Sequence, residues 1–359
     1  MTLAVETTLT LAGISAKVEQ GIRIDVDEAR WLWQNASTEE LQRLASVVRG
    51  RFHAPGACTY MVMRIINYTN VCVAQCDYCA FYKLPGQAGG YVMSHEDVFA
   101  KIDELIALGG DLAAFNGGFN PALPLSYYCD LFAAIRARYG DAVEFYALTI
   151  AEFMYLADHA KISCADAAER LKAAGVRWIT GGGSEILTEA FRSRHSKFKY
   201  TVAEYFEAQR AIVQVGLKTT ATMVIGFDET LDERLEHLER TRQFQDETEG
   251  LASFLCWTFK PYFTQLGGIE ITTAEYLKHL ALCRIFLDNI PRIRTSVLTQ
   301  NQQALEGLKY GADDFDLPIE DEVTQKAGAT ISLDFERILN YARELGFAPE
   351  YRHVAVRAK

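Results

Sequence analysis

Three cysteines fall within eight residues, Cys72-Val73-Ala74-Gln75-Cys76-Asp77-Tyr78-Cys79, a C-x3-C-x2-C spacing. Thiolates gathered on one short loop can converge on a single polynuclear iron–sulfur centre. With no fourth Cys or His nearby, one metal position is left open to an exogenous ligand. A structural zinc site is the competing chemistry, but it usually takes four ligands in paired halves, and neither His53 nor His95 offers such a spacing. A third reading is a chance cluster of buried thiols. The other cysteines, at 58, 129, 164, 256 and 283, stand singly in apolar segments and read as small buried groups, the pattern of a reduced compartment.

Other residues with chemical potential sit in glycine-rich or acidic turns. In Asn116-Gly117-Gly118, adjacent glycines let the backbone approach a ligand where a Cβ would clash; the alternative is a plain turn. Gly181-Gly182-Gly183-Ser184-Glu185 offers the same flexibility, followed by a carboxylate that could serve only as a helix N-terminal charge. Gly226-Phe227-Asp228-Glu229-Thr230 carries two carboxylates, Asp228 and Glu229, that read either as acid–base or polar contact groups or as the acidic opening of a helix. His237 and His279 lie on predicted helices and read as packing or surface groups.

Each of these turns must be carried by something. Residues 8–58 read as helical, with a start at Asp25-Val26-Asp27-Glu28 and a capping pattern at Ser37-Thr38-Glu39-Glu40, giving lids or packing helices. Beyond them strands and helices alternate. Predicted strands are 61–66, 112–115, 143–148, 176–179, 219–225, 251–259 and 293–297; predicted helices are 98–108, 127–139, 165–174, 203–215, 231–243 and 274–287. Apolar strands alternating with helices build a parallel sheet, and seven or eight units point to an α/β barrel of the TIM type, full or nearly full. The chemically distinctive turns all follow predicted strands, at the rim where such barrels assemble their sites. The division expected is an N-terminal helical extension (1–58), the barrel (59–300) and a C-terminal segment (301–359) that completes it and covers the site.

The 359-residue chain is 49% hydrophobic and 23% charged, enough apolar surface for a large core. With 36 basic against 47 acidic residues, a net charge of −11 and no basic run, it argues against nucleic acid as a partner. Met1–Glu6 lacks the pattern of a signal peptide, and no stretch of about 18 uncharged apolar residues occurs, so a cytoplasmic protein without a membrane partner is expected.

The cysteine spacing, with Tyr78 before its last member, resembles the radical S-adenosylmethionine superfamily. The flanks Arg64–Val71 and Ala80–Lys83 are similar to its menaquinone (futalosine route) and deazaflavin branch, which holds dehypoxanthine futalosine cyclase, aminofutalosine synthase and the two halves of deazaflavin synthase. The resemblance implies a 4Fe-4S cluster on Cys72, Cys76 and Cys79, with S-adenosyl-L-methionine chelated at the open iron and cleaved to a 5′-deoxyadenosyl radical. It implies cofactor contacts from Tyr78, from Asn116, Gly117 and Gly118 (a GGE-type element), and from Ser184 and Glu185 in a PGGGAEIL-like segment. Thr219–Met223, Gln245–Thr248, Trp257–Pro261, Thr299–Asn301 and Gly311–Asp316 also parallel branch motifs, with departures at Thr180, Phe227, Thr258, Lys260 and Asp316. The activity implied is cyclisation of dehypoxanthine futalosine by ribose hydrogen abstraction and radical addition to the attached ring. A cyclase-like paralogue, aminofutalosine synthase, a deazaflavin synthase half, or a non-catalytic iron–sulfur protein are the alternatives. A small-molecule substrate and a reducing partner such as flavodoxin or ferredoxin follow from the resemblance, and a homodimer is left open.

Overall fold

A computed structural model describes residues 9–354; the Met1–Glu6 stretch lies outside them. Eight parallel strands form the centre: β1 Ala57–Ile66, β2 Leu112–Phe115, β3 Glu144–Thr149, β4 Trp178–Thr180, β5 Thr219–Ile225, β6 Leu251–Thr258, β7 Ile293–Thr295 and β8 Asp314–Pro318. Their spatial order, β4-β3-β2-β1-β8-β7-β6-β5, is that of a ring. The seam between β4 and β5 is nearly closed. The Ile179 amide donates to the Lys218 carbonyl (3.1 Å) and the Lys218 amide to the Arg177 carbonyl (2.9 Å). The TIM-type barrel expected from the strand–helix alternation is therefore present.

Burial explains why the strands read as apolar runs. Six consecutive residues of β1, Met61–Ile66, are buried, because helices cover its outer face and the barrel interior its inner face. The helix His95–Ala107 starts at an Ser94–Asp97 capping box and buries Val98, Ile102 and Leu105. Glycines then end it, as expected from Gly109-Gly110, with Gly109 at φ 81°.

The capping boxes at Asp25–Glu28 and Ser37–Glu40 form as the sequence suggests, opening helices Val26–Asn35 and Thr38–Arg49. These helices bury Leu32, Leu41, Leu44, Ala45 and Val48, and pack on the outer helices Leu231–Thr248 and Thr273–Phe286. They are packing helices rather than lids.

Three elements depart from the sequence expectation. The helix Ile150–His159 follows β3 directly; its apolar start continues the strand's pattern, and only the Thr149–Glu152 capping box marks the switch. A short helix, Glu189–His195, occupies what reads as a loop. Strand β8 contains Asp314, Asp316 and Pro318, residue types that strands usually avoid. It is accommodated because Asp314 meets Arg352 (2.6 Å) and Asp316 meets Arg294 (2.6 Å). A ninth strand, β9 Ala348–Tyr351, pairs with Ala57–Tyr60 of β1 at the barrel's lower end.

Candidate functional site

The C-terminal rim of the barrel opens on a cavity of about 300 Å³. Cys72, Cys76, Cys79 and Tyr78 line it from the loop after β1, Asn116–Gly118 from the turn after β2, and Gly182–Glu185 from the turn after β4. The sequence-predicted cofactor residues therefore share one enclosure. Thr180, Phe227, Thr258 and Lys260, four of the positions that depart from the branch pattern, line it too.

Local geometry explains the glycines. A Cβ on Gly117 would lie 2.6 Å from the Tyr68 ring; one on Gly118 would lie 2.5 Å from the Val71 carbonyl oxygen and 2.7 Å from Cys72 Cβ. The pair lets the turn after β2 lie against the cysteine loop itself. Glu152, which the sequence reading passed over, secures this turn. It accepts hydrogen bonds from the Gly117 amide (2.7 Å), the Tyr68 hydroxyl (2.6 Å) and the Thr149 amide (3.0 Å). Burial raises its pKa against the pull of these donors.

Backbone amides already point at the sulfur of Cys72: Phe119 at 3.3 Å and Ala74 at 3.4 Å. Burial raises all three thiol pKa values, to about 11 for Cys76, so that in the free protein these sulfurs favour the neutral form. A metal centre would reverse that preference by supplying positive charge. Among the described residues, no three Cys, His, Asp or Glu side chains are drawn together closely enough to hold a metal ion. The donor set, three soft thiols lining one cavity with amides aimed at Cys72, suits an iron–sulfur cluster, which Cys72, Cys76 and Cys79 would hold.

Lys199 is the second residue that the sequence concealed. Its ammonium lies 3.0 Å from the Tyr78 hydroxyl and 3.1 Å from both Glu185 oxygens, all facing the cavity. Burial works against its charge and the Glu185 carboxylate beside it favours that charge, and the net shift carries its pKa above the ordinary value. Its place in Ser196-Lys197-Phe198-Lys199 has no distinguishing spacing. Ser184 is buried and donates to the Thr222 carbonyl (2.7 Å), tying the turn after β4 to β5.

Asp228 and Glu229, expected as acid–base groups, do not line the cavity. Glu229 folds back on its own turn: its buried carboxylate accepts from the Gly226 amide (2.9 Å) and the Phe227 amide (2.8 Å) and pairs with Arg234. Asp228 is half exposed and meets His195 Nε2 at 2.8 Å, while His195 Nδ1 meets Asp77 at 2.9 Å. These contacts make Asp228 a brace that reaches the cysteine loop through His195, and Glu229 a turn clamp. Asp316, another departure, is held by Arg294, which lines the cavity floor. His237 and His279 are buried within the helical layer, as packing groups.

Comparisons with known proteins agree with this arrangement. The family model described as radical SAM superfamily matches residues 66–241, and that of the CofH/MqnC C-terminal region matches 248–358. The cyclic dehypoxanthine futalosine synthase of Halalkalibacterium halodurans is 36% identical, across 96% of this chain and 94% of the relative. Its counterpart in Streptomyces coelicolor is 34% identical, across 95% and 87%. The aminodeoxyfutalosine synthase of Thermus thermophilus is 34% identical, across 89% and 87%. The crystal structure of methylornithine synthase shares the fold, with a TM-score of 0.72 at 15% identity, covering 94% of this chain and 97% of that one. With these relatives matched along nearly its whole length, the chain belongs to the radical SAM superfamily and is a radical SAM enzyme of the group that contains cyclic dehypoxanthine futalosine synthase.

Proposed function

We propose that this enzyme cyclises dehypoxanthine futalosine in menaquinone biosynthesis. The observation that carries the reading is one cavity lined by all three cysteines together with Gly117-Gly118 and Glu185, in a chain 36% identical to a cyclic dehypoxanthine futalosine synthase. Cys72, Cys76 and Cys79 would hold a 4Fe-4S cluster, with Asn116–Gly118, Tyr78, Ser184 and Glu185 around S-adenosylmethionine. When bound and reduced, that cluster supplies the electron that cleaves S-adenosylmethionine. The protein's own part is placement and exclusion. Lys199 fixes the Tyr78 hydroxyl and the Glu185 carboxylate at one wall. Phe227 and Phe259, with ring centroids 4.4 Å apart, line the cavity with apolar surface that keeps water and stray hydrogen donors from a radical. The substrate is a small molecule, and the electron comes from a flavodoxin- or ferredoxin-like partner.

Anaerobic reconstitution followed by incubation with reductant, S-adenosylmethionine and dehypoxanthine futalosine tests the reading. The expected result is free 5′-deoxyadenosine together with a ring-closed product identified by mass. An adenosine adduct of an enolpyruvyl substrate, with no product from dehypoxanthine futalosine, would instead assign the aminofutalosine synthase reaction.

A further inference from the structure

Strand alternation decides which side chains stand inside the barrel. Phe145 and Ala147 belong to the outer core, so Tyr146 of β3 points inward and packs with Met63, Ile65 and Leu298. On β7, Ile293 joins the outer core and Thr295 bonds Tyr276 and the Ala304 carbonyl, which turns Arg294 inward. Tyr146, Arg294, Met63, Ile65 and Leu298 all line the cavity.

On this floor the protein's own hydrogen bonds leave two donors over. Arg294 spends Nη2 on Asp316 (2.6 Å), and its Nε, buried without a hydrogen bond, lies 3.4 Å from Asp314. Asp314 itself is taken by Arg352 and Thr59. Among the described residues Arg294 Nη1 has no hydrogen-bond partner, and unlike Nε it keeps accessible surface. The Tyr146 hydroxyl likewise keeps accessible surface and has no partner. Burial raises the Tyr146 pKa and Arg294 is the first charge to oppose that rise, so the phenol stands near the guanidinium in its protonated, donating form. The other cations that line the cavity are committed: Lys199 to Tyr78 and Glu185, Lys260 to Glu270. A guanidinium edge oriented by an aspartate, beside a phenol and between apolar walls, suits a carboxylate carried on an apolar body.

We propose that Arg294 and Tyr146 are specificity-determining residues, Arg294 Nη1 and the Tyr146 hydroxyl donating to a carboxylate of the substrate whose apolar body lies along Met63, Ile65 and Leu298. The inference deepens the functional reading above and rests on it for the occupant, dehypoxanthine futalosine, whose benzoate group carries such a carboxylate.

The test is equilibrium binding to the reconstituted enzyme with S-adenosylmethionine and no reductant, so that nothing turns over. Dehypoxanthine futalosine is compared with its carboxamide, which keeps the shape and removes the charge. The wild type should bind the acid about tenfold or more tighter than the amide. Tyr146→Phe removes no hydrogen bond within the protein, and Arg294→Lys keeps a cation for Asp316. Each should cut the preference for the acid to about threefold or less. S-adenosylmethionine also carries a carboxylate, and its affinity should stay within about twofold in both variants. Equal binding of acid and amide by the wild type, a preference kept in full by either variant, or a parallel loss for S-adenosylmethionine would overturn the proposal while leaving the functional reading intact. A wild type that binds neither compound would overturn both.

Discussion

At Gly118 the cavity wall and the cysteine loop are separated by less than the width of a methyl group. Gly118→Ala must therefore push the Val71–Cys72 segment away, because the atoms in its path, the Val71 carbonyl and the Cys72 Cβ, cannot swing aside without the backbone. The variant should fold but retain less than about half of the wild-type iron after identical reconstitution, because a misplaced loop loses pre-organisation. Iron content beside an unchanged circular dichroism spectrum checks this; full iron content would contradict it. At this scale the sequence was legible where spacing is unusual, as with the cysteines and paired glycines. Lys199 and Glu152 escaped because their importance arises from what folding brings near: Lys199 lies 121 residues from Tyr78, and Glu152 lies 35 from Gly117. Asp228 and Glu229 were ambiguous for the reverse reason. Acidic residues opening a helix serve catalysis and turn closure with the same composition, and only their partners, His195 and Arg234, separate the two.

Among elements, β8 depends most on partners distant in sequence. Asp314 is fully buried, and burial would raise its pKa, but Arg352, Arg294 and Thr59 outweigh this and hold it below the ordinary 3.8. A carboxylate with a depressed folded-state pKa stabilises the fold above its unfolded value, and that stabilisation is lost as pH falls through the folded one. Asp314→Asn leaves Arg352 and Arg294 short of a buried counter-charge. It should cost about 3–5 kcal/mol at pH 7, with the gap to wild type narrowing as the pH drops below about 4. Thermal melts across that range measure it; equal melting temperatures at pH 7 would refute the assigned role. The same dependence explains why the strand was hard to read. Its charges look wrong for a barrel interior until Arg294 on β7 and Arg352 beyond β9 are placed against them. By contrast, β2 and β5 were legible to the residue, since their apolar runs and bounding turns are local.

For the molecule as a whole, the ring order gathers the loops after β1, β2 and β4 and those after β6, β7 and β8 around a shared cavity, the two sets adjoining where β1 pairs with β8. That division matches the two family models, one covering residues 66–241 and the other 248–358. Among the described residues no helix is long and apolar enough to cross a membrane. The central claim, that the three thiols of one loop hold an iron–sulfur cluster, is tested most directly by metal and acid-labile sulfide analysis of anaerobically reconstituted enzyme beside a Cys72→Ala/Cys76→Ala/Cys79→Ala variant. The account predicts about four iron and four sulfide per wild-type chain and essentially none in the variant. Zinc in place of iron, or a variant that keeps its iron and sulfide, would contradict it.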